Sequence, residues 1–277
     1  MNSFTSRQEN ASPKDVYAKF APAEVVRNLA EDGSFTLSNP QEFEISERCL
    51  GDVLTRWAGE APDRRFLMER DSAGEWDGVT YGEALTQVRA LASFMLARGL
   101  GPDRPLLILS GNSVRHGLLT LAAMHAGIPA VPVSVPYSLH DQSLAKLRHI
   151  VATTNPGMAY ADDAGAFARA FEYLDSAGLE LLSDNGALTF DQALQTDVSE
   201  DVDRAHQAVN HNTVGKYLFT SGSTGMPKGV IVTQRMMLAT QQALVQIWPF
   251  LTTEPPVIVD WLPWNHTFGG NFNFNQV

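Results

Sequence analysis

The sequence predicts an α/β fold: a mostly parallel sheet layered with helices. Three observations carry this. Short apolar runs alternate with amphipathic segments between Thr80 and Tyr160. The run Pro105–Leu109, PLLIL, is apolar throughout, as a strand buried on both faces must be. Glycines and prolines punctuate the joints between these segments, notably Gly99, Gly127 and Pro156. Strand, helix and parallel strand in succession imply right-handed crossovers with helices on both sheet faces.

The elements follow in order. Residues 1–42 read as a polar leader and N-terminal extension, because the opening MNSFTSRQENASPKD lacks the apolar segment of a secretory signal. Residues 43–277 read as the ordered part. Thr80 and Glu83 have the spacing of a capping box. Ala84, Leu85, Val88, Leu91, Ala92, Met95 and Leu96 then repeat at helical spacing, and Gly99 suits the left-handed residue that ends a helix. After the Pro105–Leu109 strand, Asn112 or Ser113 caps a second helix. It is apolar almost all round through Leu118, Leu119, Leu121, Ala122 and Met124, and so predicted to be buried. Ala130–Val133 is extended again. Asp141–Val151 is predicted as an amphipathic helix, ended by Pro156 before a strand at Met158–Tyr160.

Composition narrows the function. The 277 residues are 44% hydrophobic and 18% charged, ordinary for a globular chain. The net charge of −11 argues against nucleic-acid or membrane-surface partners, which select basic proteins. No apolar run reaches the ~18 residues a membrane span requires. Cys49 is the single cysteine, which excludes an intramolecular disulfide and a multi-thiolate zinc site and, with no export signal, points to the cytoplasm. No metal-ligand spacing is visible among the histidines. The acidity is local: residues 161–203 carry eleven acids against Arg169, whereas residues 204–277 are net basic. The acidic span reads as a solvated face, and the last third remains open to an anion.

That last third holds the informative segment, Tyr217–Val232, YLFTSGSTGMPKGVIV. Two apolar runs flank ten residues of Thr, Ser, Gly, Met, Pro and Lys. Backbone N–H groups and hydroxyls converging in such a loop form a concave array of donors suited to phosphate. Lys228 adds a full charge. Ten residues exceed a simple hairpin turn, and Pro227 before Lys228 with Gly229 after it does not fit a Walker A loop. Ser143 to Lys146 matches SxxK, but without a following KTG it reads as a coincidence on a helix.

TSGSTGMPKG, Thr220–Gly229, resembles the phosphate-binding signature of the adenylate-forming superfamily, which includes acyl-CoA synthetases, luciferases and nonribosomal adenylation domains. Asp260–Gly270, DWLPWNHTFGG, resembles that superfamily's following LPxxH motif, and Val79–Tyr137 resembles its N-terminal subdomain. Within the superfamily, GVIVTQRMM and DWLPWNHTFGGN most resemble the feruloyl-CoA synthase family.

The resemblance implies the N-terminal domain of an ATP-dependent acid–CoA ligase, with ATP, Mg2+ and coenzyme A as cofactor or co-substrates and a small aromatic acid, ferulic acid foremost, as substrate. It implies that Thr220, Ser221, Gly222, Ser223, Thr224, Gly225 and Lys228 contact the ATP phosphates. It makes His266 the residue that orients the carboxylate or adenylate, with Phe268, Gly269 and Gly270 shaping a flat acyl pocket; Trp264 is expected to pack rather than bind. The superfamily's ribose, adenine and metal ligands and its C-terminal lid have no counterpart in these residues. The chain is therefore expected to be the N-terminal part of a larger enzyme, inactive alone. The alternatives are a ligase for another carboxylic acid and a catalytically dead nucleotide-binding protein. Oligomeric state is not legible.

Overall fold

The structure is a computed structural model that describes residues 19–22, 24–42, 44–220, 225–253 and 255–276. Before the domain, β1 (Val26–Leu29) and β2 (Phe35–Ser38) form an exposed antiparallel hairpin, Val26 opposite Ser38 and Leu29 opposite Phe35. The sequence reading assigns no element here, since this stretch lacks a periodic apolar pattern.

Helix α1 (Leu50–Glu60) leads into a second antiparallel pair, β3 (Arg65–Arg70) with β4 (Trp76–Thr80). Helix α2 (Tyr81–Ala97) starts at the expected capping box: Thr80 accepts from the Glu83 amide, and the Glu83 carboxylate accepts from the Thr80 amide. The main sheet begins with β5 (Leu106–Ile108), all three residues fully buried. Helix α3 (Val114–His125) is capped by Ser113, whose hydroxyl accepts from the His116 amide. From His116 to His125 every residue of α3 is buried, because the helix lies between the sheet and the helices outside it. Gly127, at φ +69, turns the chain into β6 (Ala130–Pro132).

Next come α4 (Val135–Leu139), α5 (Ala145–Thr154), β7 (Met158–Ala161), α6 (Ala168–Ser176), β8 (Glu180–Ser183), α7 (Phe190–Leu194) and α8 (Glu200–Ala208). The helix predicted at Asp141–Val151 begins later, at Ala145. The Asp141 carboxylate accepts from both the Ser143 amide and hydroxyl, and Leu144 is left-handed at φ 52, so the first residues form a turn.

The chain returns through β9 (Val214–Thr220) and β10 (Lys228–Thr233), then α9 (Gln234–Ile247). Strand order is β10-β9-β6-β5-β7-β8, parallel throughout except for the antiparallel edge pair β9–β10. Two apolar layers cover the sheet: one gathers α1–α3 with Tyr160, the other α5 and α6 with Leu107 and Val131. The acidic span is mostly exposed where it carries charge, as expected of a solvated face. Among the described residues no helix is long and apolar enough to cross a membrane.

Candidate active site

The site is built at the β9–β10 edge. These strands pair so that Lys228 stands opposite Thr220 and Val230 opposite Leu218. The Thr220 hydroxyl donates to the Lys228 carbonyl at 3.5 Å. The strands on either side of residues 221–227 pair as a hairpin whose connection is longer than a simple turn, as the sequence reading expects, although shorter than the ten residues between the apolar runs. The pairing runs further than the apolar runs suggest because a ladder needs only backbone groups, and Thr220 and Lys228 supply them. Both side chains are exposed at the loop's mouth. Gly225 is open to solvent, with nothing near the place of a Cβ. Ser221, Gly222, Ser223 and Thr224 lie outside the described residues. On the far side of the loop, the His149 imidazole on α5 donates from Nε2 to the Pro227 carbonyl at 3.0 Å.

The second motif forms a compact knot. The Asp260 carboxylate accepts from the Leu262 amide at 3.0 Å, the Trp264 indole at 2.9 Å and the Asn273 amide side chain at 2.9 Å. Asn112, beyond β5, clasps the same segment, donating to the Leu262 carbonyl at 2.8 Å and accepting from the Trp264 amide at 2.9 Å. Trp264 packs as expected, 4.7 Å from Phe274 and edge-on to His116. His266 is exposed, and its Nδ1 accepts from the Phe268 amide at 3.3 Å. A wide helical turn, Phe268–Asn273, follows. Phe268 is 50% exposed and stacks on Phe272, with centroids 5.0 Å apart and 10° between the planes. Gly269 and Gly270 are buried against the backbone of 262–264. A Cβ on Gly270 would meet the Trp264 carbonyl oxygen at 2.2 Å, so close packing of the turn explains glycine there.

The two halves meet behind the surface. Lys216 of β9 is 2% exposed, and its Nζ donates to the Gly270 carbonyl at 2.6 Å. Burial lowers its pKa to about 7. It borders a small cavity with His116, Thr120, Pro132, Trp264 and Phe274. Burial, the main cause, lowers His116 to about 4, so this ring is neutral while its Nδ1 bonds the Gly111 carbonyl at 2.9 Å.

Two other clusters do not form sites. Ligand atoms of Cys49, Asp52 and His206 lie within 4.8 Å of one another. Arg48 already holds both Asp52 oxygens, at 2.8 and 3.1 Å, so a guanidinium stands where a metal would need to be. Ser143 is bound to Asp141, and the Lys146 ammonium lies 4.5 Å from the Tyr137 ring centre, so the SxxK spacing has no reactive serine–lysine pair.

The structure thus brings together Thr220 and Lys228 as one group, and His266, Phe268, Gly269 and Gly270 as another. Sequence reasoning missed Asn112, Asp260 and Lys216. Asn112 stands out only as a cap candidate and Asp260 only as the start of the second motif, whereas Lys216 is a lone lysine inside an otherwise strand-like run before the loop.

The AMP-binding enzyme family matches residues 54–275. A putative fatty-acid–CoA ligase of Mycobacterium leprae is 30% identical over 226 residues, covering 78% of this chain and 37% of that protein. 4-coumarate–CoA ligase-like 9 of Arabidopsis thaliana is 30% identical, covering 76% and 36%. The 4-hydroxyphenylalkanoate adenylyltransferase of Mycobacterium marinum is 24% identical, covering 82% and 36%. The chain thus spans little more than a third of these relatives. In fold, it superposes on a fatty acid AMP ligase from Legionella pneumophila with a TM-score of 0.65 at 19% identity, covering 84% of this chain and 38% of that one. McyG A-PCP complexed with phenylalanyl-adenylate gives 0.67 at 17% identity, covering 85% and 41%. The α/β architecture is that of the N-terminal domain of adenylate-forming enzymes, and with the family match spanning most of its length, this chain belongs to the AMP-binding enzyme family.

Proposed function

We propose that the protein takes part in activating a carboxylic acid: the carboxylate attacks the α-phosphorus of MgATP, pyrophosphate leaves, and a coenzyme A thiolate then attacks the acyl carbon and releases AMP. The observation that carries this reading is the register that places Thr220 opposite Lys228 at the mouth of the TSGSTGMPKG loop. A cation and a hydroxyl held on paired strands are preorganised for phosphate, so little ordering is required when ATP binds. Ser221, Gly222, Ser223, Thr224 and Gly225 complete the phosphate contacts, and Mg2+ arrives with the nucleotide. His266, with Nδ1 engaged by its own turn, orients the carboxylate through Nε2.

We assign an aromatic acid, with ferulate the leading candidate. Support comes from the half-exposed Phe268–Phe272 stack beside His266, which offers a flat apolar face to a planar ring. A fatty acid is the second reading, favoured by the 30% identity to a putative fatty-acid–CoA ligase.

The test is acid-dependent pyrophosphate exchange with MgATP, using ferulate, benzoate and a long-chain fatty acid. Exchange greatest with ferulate and lost in Lys228→Ala supports the reading. Exchange greatest with the fatty acid replaces the substrate. ATP binding without exchange from any acid fits both the expected inactivity of this part of a ligase on its own and a nucleotide-binding protein.

A further inference from the structure

The acyl-side turn and the phosphate loop lie on different segments, and one buried side chain joins them. Lys216 sits on β9, the strand that delivers Thr220 to the loop. Its ammonium is enclosed by apolar and neutral groups. The Phe274 ring centre is 4.9 Å away, and His116, Thr120, Pro132 and Trp264 line the adjoining cavity. The ammonium donates to the Gly270 carbonyl, at 2.6 Å. An ammonium enclosed without a carboxylate is costly, and an apolar side chain of similar length would pack there at lower cost. Stability therefore does not account for a lysine at this position.

Geometry accounts for it better. The Gly270 amide donates to the His266 carbonyl at 2.8 Å, so the residue whose carbonyl Lys216 holds also closes, through its own N–H, the turn that presents His266. Asn112 and Asp260 tie the start of the motif, but to the loop after β5 and to Asn273; neither reaches β9. Gln241 of α9 holds the Asn271 and Phe272 carbonyls, further along the turn. We infer that Lys216 is a positioning residue: by holding the Gly270 carbonyl it sets the His266 turn against β9, and so aligns the acid side of the site with the phosphate loop. The inference rests on the proposed acid activation.

The test uses Lys216→Met, which removes the donor and keeps the length, in the 277-residue chain. Three quantities are measured: hydrogen exchange by peptide, the affinity for MgATP, and the affinity for a non-hydrolysable feruloyl-sulfamoyl adenosine, which spans both halves. Exchange should quicken about tenfold across 262–276 and stay unchanged in β5–β7. MgATP affinity should stay within about twofold while affinity for the adenylate mimic falls about tenfold, because only the mimic needs both halves aligned. Gly270→Ala drives a Cβ into the Trp264 carbonyl and displaces the same residue without touching Lys216. It should reproduce the pattern, and it stands in if Lys216→Met does not fold. Protection lost evenly over the whole chain, or lost locally with unchanged affinity for the mimic, overturns the positioning role. A wild-type chain that binds neither MgATP nor the mimic instead overturns the proposed function, and the role with it.

Discussion

The sheet centre and the sheet edge follow different rules. In β5, Leu106, Leu107 and Ile108 are fully buried, α3 is buried nearly all round, and no residue of either element is exposed. At the β9–β10 edge and in the segment that leads to His266 the reverse holds. Val257 is 93% exposed and Trp261 82% exposed, and Lys228 and His266 face solvent. The centre is held by contact area, to which every residue adds. The edge is held by single polar clasps such as Asn112, Asp260 and Lys216, each of which fixes one segment. A centre mutation should therefore cost stability and spare ligand affinity in the molecules that remain folded; an edge mutation should do the opposite.

The largest effect expected under this division is in the centre. Leu119→Ala, at a fully buried position on α3, should destabilise by about 3 kcal/mol through lost burial and a residual cavity. Denaturant unfolding measures this. If MgATP affinity of the folded protein also falls, the two regions are coupled and the division fails.

Next is acid. His125 closes α3 with 1% exposure, its ring stacked on His206 at 3.9 Å and neither nitrogen hydrogen-bonded among the described residues. Burial first, then the charges of His206 and Arg89, lower its pKa to about 3, with Asp203 and Asp52 opposing. The unfolded chain therefore binds this proton first as pH falls. Stability is fully present above about pH 6.5 and is lost as pH drops toward 3. His125→Phe keeps the stack and removes the titration, so at pH 5 it should be more stable than wild type by about 2 kcal/mol, and near equal at pH 8. Equal acid sensitivity of the two proteins would move the cause elsewhere, to His116 for instance.

The same division explains what was legible in the sequence. The centre was: the capping box at Thr80, the strand at Leu106–Ile108 and the buried helix ending at Gly127 are each written in local pattern, because burial on a helix or strand imposes a period. The start of α5 was misplaced, since the Asp141–Ser143 turn competes with the helix through side-chain bonds that carry no period. At the edge, residue types in the loop and around His266 suggest the chemistry proposed above. Their geometry was not legible, because pairing Lys228 with Thr220, or Lys216 with Gly270, depends on segments distant in sequence. Of the two candidate caps, Asn112 and Ser113, Ser113 caps α3, and Asn112 holds the segment before His266 instead.

At the edge, Lys228→Ala should weaken MgATP binding at least about tenfold, roughly 1.4 kcal/mol, with no change in melting temperature, because its side chain supports no packing. Titration calorimetry and thermal unfolding on one preparation separate the two. A fall in melting temperature would show that the hairpin mouth also contributes to the core, which its exposure argues against.

The smallest effect sharpens the division from the other side. Thr80→Ala removes a hydroxyl that accepts from the Glu83 amide at 3.3 Å and opens the capping box of α2. Loss of a helix cap costs about 1 kcal/mol. Like Asn112, Asp260 and Lys216, Thr80 is a single polar clasp, but it belongs to the buried centre, where α2 packs on α3 and Leu91 and Met95 lie in the core. If clasps govern affinity wherever they occur, Thr80→Ala should weaken nucleotide binding; if position in the molecule governs, it should cost stability alone. We expect the second result, a modest drop in unfolding free energy with MgATP affinity unchanged, because the packed face of α2 continues to hold the helix in place once its cap is gone.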